Sequence, residues 1–243
     1  MARVRKTTLG GISGKLGDIV YHNRHGERFI RVRPKSFVPG TDAASVDRRS
    51  RFAFSVRLAR AIYSVPELKL FWERAAQKEK SIFNFVVGSN VNLVTADRPT
   101  ELATITPPSR RSRDITGLLA SPGKVSTSSG VVSVDSSALW DRTVGPAPEG
   151  ARANLAYVLC LGNPAESRRA SQSKGKPVPE FITGCSKAQQ ILTDSVMTFK
   201  VRLEDREAKK LSRYKEKNLL CAILMFDSKG KPVRYSKTAI TRI

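Results

Sequence analysis

The chain has 243 residues with 43 Lys+Arg against 21 Asp+Glu, a formal net charge of +22 and a pI near 10.5. At 40% hydrophobic and 26% charged it is too apolar for wholesale disorder, and no apolar run approaches the ~20 residues that span a bilayer. A chain of this length buries enough surface to build a core of one or two domains without disulfides or metals.

The charge is unevenly placed. Residues 1–60 carry 14 Lys+Arg against 4 acids and residues 181–243 carry 14 against 6, whereas 61–120 hold 8 against 6 and 121–180 hold 7 against 5. The net charges by block are therefore +10, +8, +2 and +2, and the basicity sits at the two ends.

In chain order, the Gly-rich opening Gly10-Gly11-Ile12-Ser13-Gly14-Lys15-Leu16-Gly17 leads into DIVYHN, a turn around Arg24-His25-Gly26, and ERFIRVRP. Two β-rich stretches about a Gly-containing turn predict a hairpin that Pro34 ends. In its second strand Arg28, Ile30 and Val32 share one face, and Phe29, Arg31 and Arg33 the other. A hairpin alone is marginal in water, so it is expected to dock on something. Thr41 or Asp42 is placed to cap a helix running to about Tyr63, with Phe54, Leu58 and Ile62 as its apolar stripe. Ser64-Val65-Pro66-Glu67 reads as a capping box opening a second helix that carries Leu68, Phe71, Trp72 and Ala75. The run SIFNFVVGSNVNLV, 81–94, fits a short helix or a buried strand, and periodicity does not separate them. Residues 96–114, with adjacent prolines and a basic cluster, read as a linker. Beyond it, strands are expected near 115–120, 130–139, 153–161, 195–203, 218–227 and 232–241. The polar stretch 167–180 reads as a mobile loop, and 203–217 as a short helix or a long hairpin loop.

These elements predict an α+β chain: a basic Gly-rich arm and β-hairpin over 1–40, a helical segment over 41–95, the linker at 96–114, and a C-terminal antiparallel β-sandwich of the immunoglobulin or fibronectin-III kind over 115–243.

Catalytic motifs fail one by one. A phosphate-binding loop needs G-x-x-x-x-G-K-[ST], but Leu9 stands at its first glycine and Leu16 at its Ser/Thr. His22 and His25 flank the turn with no nucleophile or carboxylate specified beside them, and Asp135 and Asp141 read as strand-edge and turn aspartates. The three cysteines, Cys160, Cys185 and Cys221, form no C-x-x-C pair, and two lie inside apolar runs; they are expected to be buried reduced thiols, with no metal site. No enzyme, cofactor or catalytic residue is expected. The opening residues lack an apolar h-region, so a cytoplasmic location, or a virion after assembly, is expected, with no membrane insertion.

The sharper signal is basic and aromatic interleaving. Tyr21, His22, Arg24, Arg28, Phe29, Arg31, Arg33 and Lys35 fall within fifteen residues. Such a ribbon suits guanidinium groups laid along phosphates with a ring for base stacking, and equally suits a solvated basic hairpin packed by its Ile and Val. The candidate nucleic-acid-binding residues are Arg3, Arg5, Lys6, Lys15, Arg24, Arg28, Arg31, Arg33, Lys35, Arg48 and Arg49.

Several stretches together resemble a known family: GGISGKLGDIVYHNRHGERFIRVRPK, the Thr41–Phe52 stretch with its R-x-x-F, Trp140-Asp141, AYVLCLGNP, and the closing LLCAILMFDSKGKPVRYS. They are similar to an uncharacterised, DUF-6266-like family of Bacteroidota proteins. The resemblance implies a Gly-Lys-Gly hairpin opening, a basic helix, and a β-sandwich with a Trp-Asp strand. Tyr235-Ser236 departs from the family's closing pattern, and 167–180 looks inserted. The family has no agreed activity, so the resemblance supplies no catalytic residues; its mobile-element-like occurrence suggests a phage or virion role.

The expected function is therefore a non-enzymatic, basic structural protein contacting nucleic acid, DNA or RNA, without sequence preference, most concretely a phage virion (capsid or nucleoprotein) component that also meets copies of itself. The alternatives are a monomeric host nucleic-acid-binding or ribosome-associated protein, and an adhesive interaction module.

Overall fold

The computed structural model describes residues 2–4, 14–24, 27–33, 36, 38–76, 81–108, 118–120, 124–128, 131–140, 149–164, 179–191 and 196–242. The chain divides into two compact units, Met1–Val46 and Asp47–Ile243.

The first unit is a four-stranded antiparallel sheet of β1 (Ala2–Val4), β2 (Gly14–Leu16), β3 (Ile19–Arg24) and β4 (Glu27–Val32), in the order β1-β4-β3-β2. The expected hairpin is β3–β4, with Arg24 opposite Glu27. A second hairpin closes β2 on β3 through Gly17-Asp18, where Leu16 stands opposite Ile19. Gly17 has φ +55° and Gly14 φ +116°, conformations that a side chain penalises. The glycines that imitate a phosphate loop thus serve a tight turn.

In the second unit, α1 (Ala43–Tyr63) is followed by α2 (Pro66–Ala75) and α3 (Ile82–Asn90). Asp42 caps α1, its Oδ2 accepting from the Ser45 amide at 2.9 Å. Phe54, Leu58 and Ile62 are buried, as their spacing requires. The expected capping box at 64–67 does not form. Ser64 instead donates its hydroxyl to the Ala61 carbonyl at 2.7 Å, closing the end of α1, and Val65 becomes the residue before α2, with Pro66 in its first turn. The ambiguous run at 81–94 is helical over Ile82–Asn90, with Val86, Val87 and Asn90 buried along one side.

The remaining elements are β5 (Leu118–Ala120), β6 (Lys124–Ser128), β7 (Val131–Trp140), β8 (Arg152–Pro164), β9 (Glu180–Cys185), β10 (Gln189–Gln190), β11 (Val196–Arg202), α4 (Asp205–Leu211), β12 (Tyr214–Phe226), β13 (Pro232–Tyr235) and β14 (Ala239–Arg242). The six strands expected in this region are present, β13 and β14 together filling the last. The run 203–217 resolves into α4, whose capping box joins Glu204 and Glu207, and the start of β12. The described part of 167–180 is only its end, Pro179 and Glu180; residues 165–178 lie outside the described residues.

All pairings are antiparallel. One sheet is built on β8 and β12, with β9 and β10 on the outer edge of β8 and β13 and β14 on that of β12. The other joins β5, β6 and β11 to β7. Ala156, Val158, Cys160, Leu220, Ala222, Leu224 and Phe226 face the helices, meeting Phe54, Leu58, Trp72 and Ile105. The alternate residues Leu155, Tyr157, Leu159, Leu161, Leu219, Cys221, Ile223 and Met225 meet Met197, Phe199 and Val201 of β11. Burial on both faces explains why β8 and β12 read as continuous apolar runs rather than alternating ones.

This arrangement corrects the expected division of the chain. Within the proposed linker, Ala103, Ile105, Thr106 and Pro107 are buried. Trp72 Nε1 donates to the Ile105 carbonyl at 2.8 Å, and the Ile105 amide donates to Thr238 Oγ1 at 2.9 Å. The helical segment and the strands therefore share one core, because the helix-facing side of β8 and β12 has no other cover among the described residues; residues 109–117 lie outside them.

The sheet on β8 and β12 has two matching halves. The Ser186 amide donates to the Leu155 carbonyl at 2.8 Å while its hydroxyl accepts from the Leu155 amide at 2.9 Å. Ser236 does the same with Ile223, at 2.8 and 2.9 Å. Each hydroxyl also donates to the next residue's carbonyl, Lys187 or Lys237. Leu155 and Ile223 stand opposite each other, so the two serines flank one central pair. About that pair β9 corresponds to β13 and β10 to β14: Cys185 opposes Ala156 as Tyr235 opposes Leu224, and Gln189 opposes Ala153 as Ala239 opposes Cys221.

Candidate nucleic-acid interface

In the first unit, cross-strand register decides which side chains share a face, since directly opposed residues project the same way. Lys15 stands opposite Val20, and Val20 opposite Arg31. Lys15 and Arg31 are exposed, and Val20 between them is half-buried. Phe29 belongs to the same face by alternation, and exposed Arg33 follows one step beyond Arg31, its amide donating to the Asp18 carbonyl at 2.6 Å. The other face carries Ile19, Tyr21, Ile30 and Val32, with Arg28 at its margin. The sheet thus sorts its chemistry: Lys15, Arg31 and Arg33 on one side, a mainly apolar set on the other.

Of the remaining candidates, Arg3 stands opposite Phe29 in β1 and Arg24 ends β3 opposite Glu27. Arg5, Lys6 and Lys35 lie outside the described residues, as do His25 and Asp141. Arg48 and Arg49 are exposed on the first half of α1, a different element from the sheet. Their neighbour Arg51 is tied to Asp47 at 2.8 Å.

One residue the sequence reading passed over is Phe52, 55% exposed on α1 although Phe54, two residues on, is 1% exposed. The signal was present in the helical stripe: Phe52 falls off the 54-58-62 line, and it stands one turn beyond Arg48 and Arg49.

Nucleophile chemistry finds little support among the described thiols. Cys160 and Cys221 are buried and Cys185 half-buried, all unbonded to one another. Burial pushes Cys160 and Cys185 up to about 12, with the carboxylates of Asp97 and Glu216 adding to the first and Glu67 to the second. Such thiols stay protonated, and the thiolate is the reactive form. Among the described residues, no helix is long and apolar enough to cross a membrane, and no group of three His, Cys, Asp or Glu is placed to hold a metal ion.

No known protein family matches the chain, and no curated protein matches it either. Among solved structures it is similar to MtrC from Shewanella baltica OS185, at 11% identity and a TM-score of 0.29, over 52% of this chain and 22% of that one. It is also similar to OgpA from Akkermansia muciniphila, at 9% identity and a TM-score of 0.22, over 59% of this chain and 34% of that one. In both cases the chain spans well under two thirds of the other protein, and likenesses this slight carry no argument about fold or function.

Proposed function

We propose that this chain is a non-enzymatic, basic structural protein that contacts nucleic acid, DNA or RNA, through its phosphates, most concretely as a capsid or nucleoprotein component of a phage virion. The observation that carries the reading is the sorted sheet of the first unit, with Lys15, Arg31 and Arg33 on one face in a chain of net charge +22. Cations held along one sheet face meet a phosphate backbone and release its counterions, which gives affinity without sequence information. The virion version rests further on the resemblance to the DUF-6266-like family. Reading the strand-rich body as a sandwich of the immunoglobulin kind belongs to the same proposal; its support is the shared apolar layer between β11 and the sheet on β8 and β12.

The test replaces Arg31 and Arg33 together by Gln and measures binding to a nucleic-acid duplex across a salt series. Affinity is expected to fall, and the slope of log K against log salt to shrink by roughly two. Thermal stability should change by under about 1 kcal/mol per residue, since exposed charges contribute little. Wild-type binding that is flat with salt overturns the electrostatic account. A double variant that melts early shows instead that these arginines hold the fold. Size-exclusion chromatography with and without nuclease separates the versions: large particles support the virion component, and a nuclease-sensitive monomer supports a host nucleic-acid-binding protein.

A further inference from the structure

We propose that the first half of α1 is a stacking platform for single-stranded nucleic acid, with Phe52 as the ring that receives a base and Arg49, with Arg48, as its phosphate contacts. This deepens the nucleic-acid reading above and rests on it.

The argument begins with the helix. Residues three and four apart lie over one another, so Arg49 and Arg48 flank Phe52 from the preceding turn. The inward stripe of α1, Phe54, Leu58 and Ile62, lies on another side, so the 55% exposure of Phe52 is not the edge of a core contact. The acid nearest in sequence, Asp47, is engaged with Arg51 at 2.8 Å, which leaves the charge around Phe52 positive. A phenyl ring in water gains nothing by itself, and a lone surface apolar residue is ordinary. An exposed ring with two guanidinium groups one turn away is a more specific combination: a flat apolar surface beside cations matches the face of a base beside its own phosphate. Duplex bases spend both faces on their neighbours, so only a strand whose bases are free can use the ring. The charge complementarity selects nucleic acid over an apolar protein groove, which would leave the arginines unmatched.

The experiment uses the full chain and one fluorescein-labelled, mixed-sequence DNA strand, presented alone and annealed to its complement, with binding followed by anisotropy at fixed salt. Phe52→Ala is expected to weaken single-strand binding roughly 5- to 100-fold while changing duplex binding less than about 2-fold and leaving the salt slope intact. Phe52→Trp should restore or improve single-strand binding, which also controls for folding. Arg49→Gln should weaken both ligands and shrink the salt slope by about one. If Phe52→Ala leaves single-strand binding unchanged, or weakens both ligands alike, the platform is overturned while the phosphate reading stands. If the wild type binds neither ligand, the broader reading fails with it. If light scattering shows a wild-type oligomer that Phe52→Ala dissolves without altering single-strand binding, the ring serves a protein interface and the proposal is overturned.

Discussion

A Cβ atom on Gly184 would lie 2.5 Å from the hydroxyl oxygen of Tyr157 and 2.8 to 2.9 Å from its ring carbons. The two residues are opposed across β8 and β9, so the glycine leaves the room in which the tyrosine lies against its partner strand. Enclosure there has an electrostatic consequence. Burial, with the carboxylates of Glu207 and Glu204 and the Cys185 thiol adding to it, pushes Tyr157 up to about 12. Cys160 and Cys185 are raised to about 12 as well. In each case the folded state holds the proton more tightly than the unfolded chain does. The stability they contribute is thus complete below the ordinary thiol and phenol values, 9.0 and 10.0, and is lost as pH rises from there toward 12. Denaturant midpoints should therefore hold steady up to about pH 9 and fall above it. Tyr157→Phe should flatten the part of the decline above pH 10, and a wild-type midpoint that stays level to pH 12 would contradict the burial of all three groups. Gly184 was not singled out in the sequence, because a glycine that makes room for a cross-strand ring looks the same as one that makes a turn until the register is known.

Among the elements, α3 depends on a single polar residue for its attachment. Asn90 is buried at its last position; its amide nitrogen donates to the Val86 and Thr104 carbonyls at 3.3 and 2.9 Å, and its oxygen accepts from the Thr104 amide at 2.9 Å. Asn90→Leu keeps the volume but deprives both backbone groups of Thr104 of this partner. The variant should lose roughly 2 kcal/mol or more in denaturant unfolding, whereas the neighbouring change Ser89→Ala should lose about 1 kcal/mol or less. Equal losses would show that Asn90 acts through packing alone. The same bonds explain where reading the sequence succeeded and where it stopped. Helices α1 and α2 were legible because each carries an apolar stripe, and β8 and β12 because long apolar runs between turn residues have few other solutions. The 96–114 stretch was misread because threonines and prolines mark an irregular backbone without saying whether it is packed. What packs it, Asn90 to Thr104 and Trp72 to Ile105, joins residues fourteen and thirty-three positions apart, beyond the reach of local pattern. In the candidate interface, alternation along β4 placed Arg31 and Arg33 together, but their companion Lys15 emerges only from the β2–β3 register.

For the molecule as a whole, the shared core revises what a truncation should do. A chain beginning at Asp114 keeps β8 and β12 but removes Phe54, Leu58, Trp72 and Ile105 from one side of them, baring Val158, Leu220, Leu224 and Phe226. It is expected to bind a hydrophobic dye, aggregate, and unfold without a sharp transition, whereas a chain of residues 47–243 should give strand-rich circular dichroism and a cooperative melt. A cooperative transition in the shorter chain would restore an independent C-terminal domain. At this scale the concentration of charge at the two ends was visible in composition, but the matched halves of the central sheet were not, since apolar residues interchange freely along β8 and β12 and only the dipeptide Ser-Lys, at 186–187 and 236–237, recurs at the corresponding bend. Those bends set a clock. The amides of Leu155 and Ile223 are each held by a buried serine hydroxyl, and these residues form the innermost pair of the ladder. Solvent deuterium reaches either amide only when an edge strand lifts away and takes its serine with it. The two positions therefore exchange on the timescale of those edge openings, and the two rates report separately on the β9–β10 edge and the β13–β14 edge.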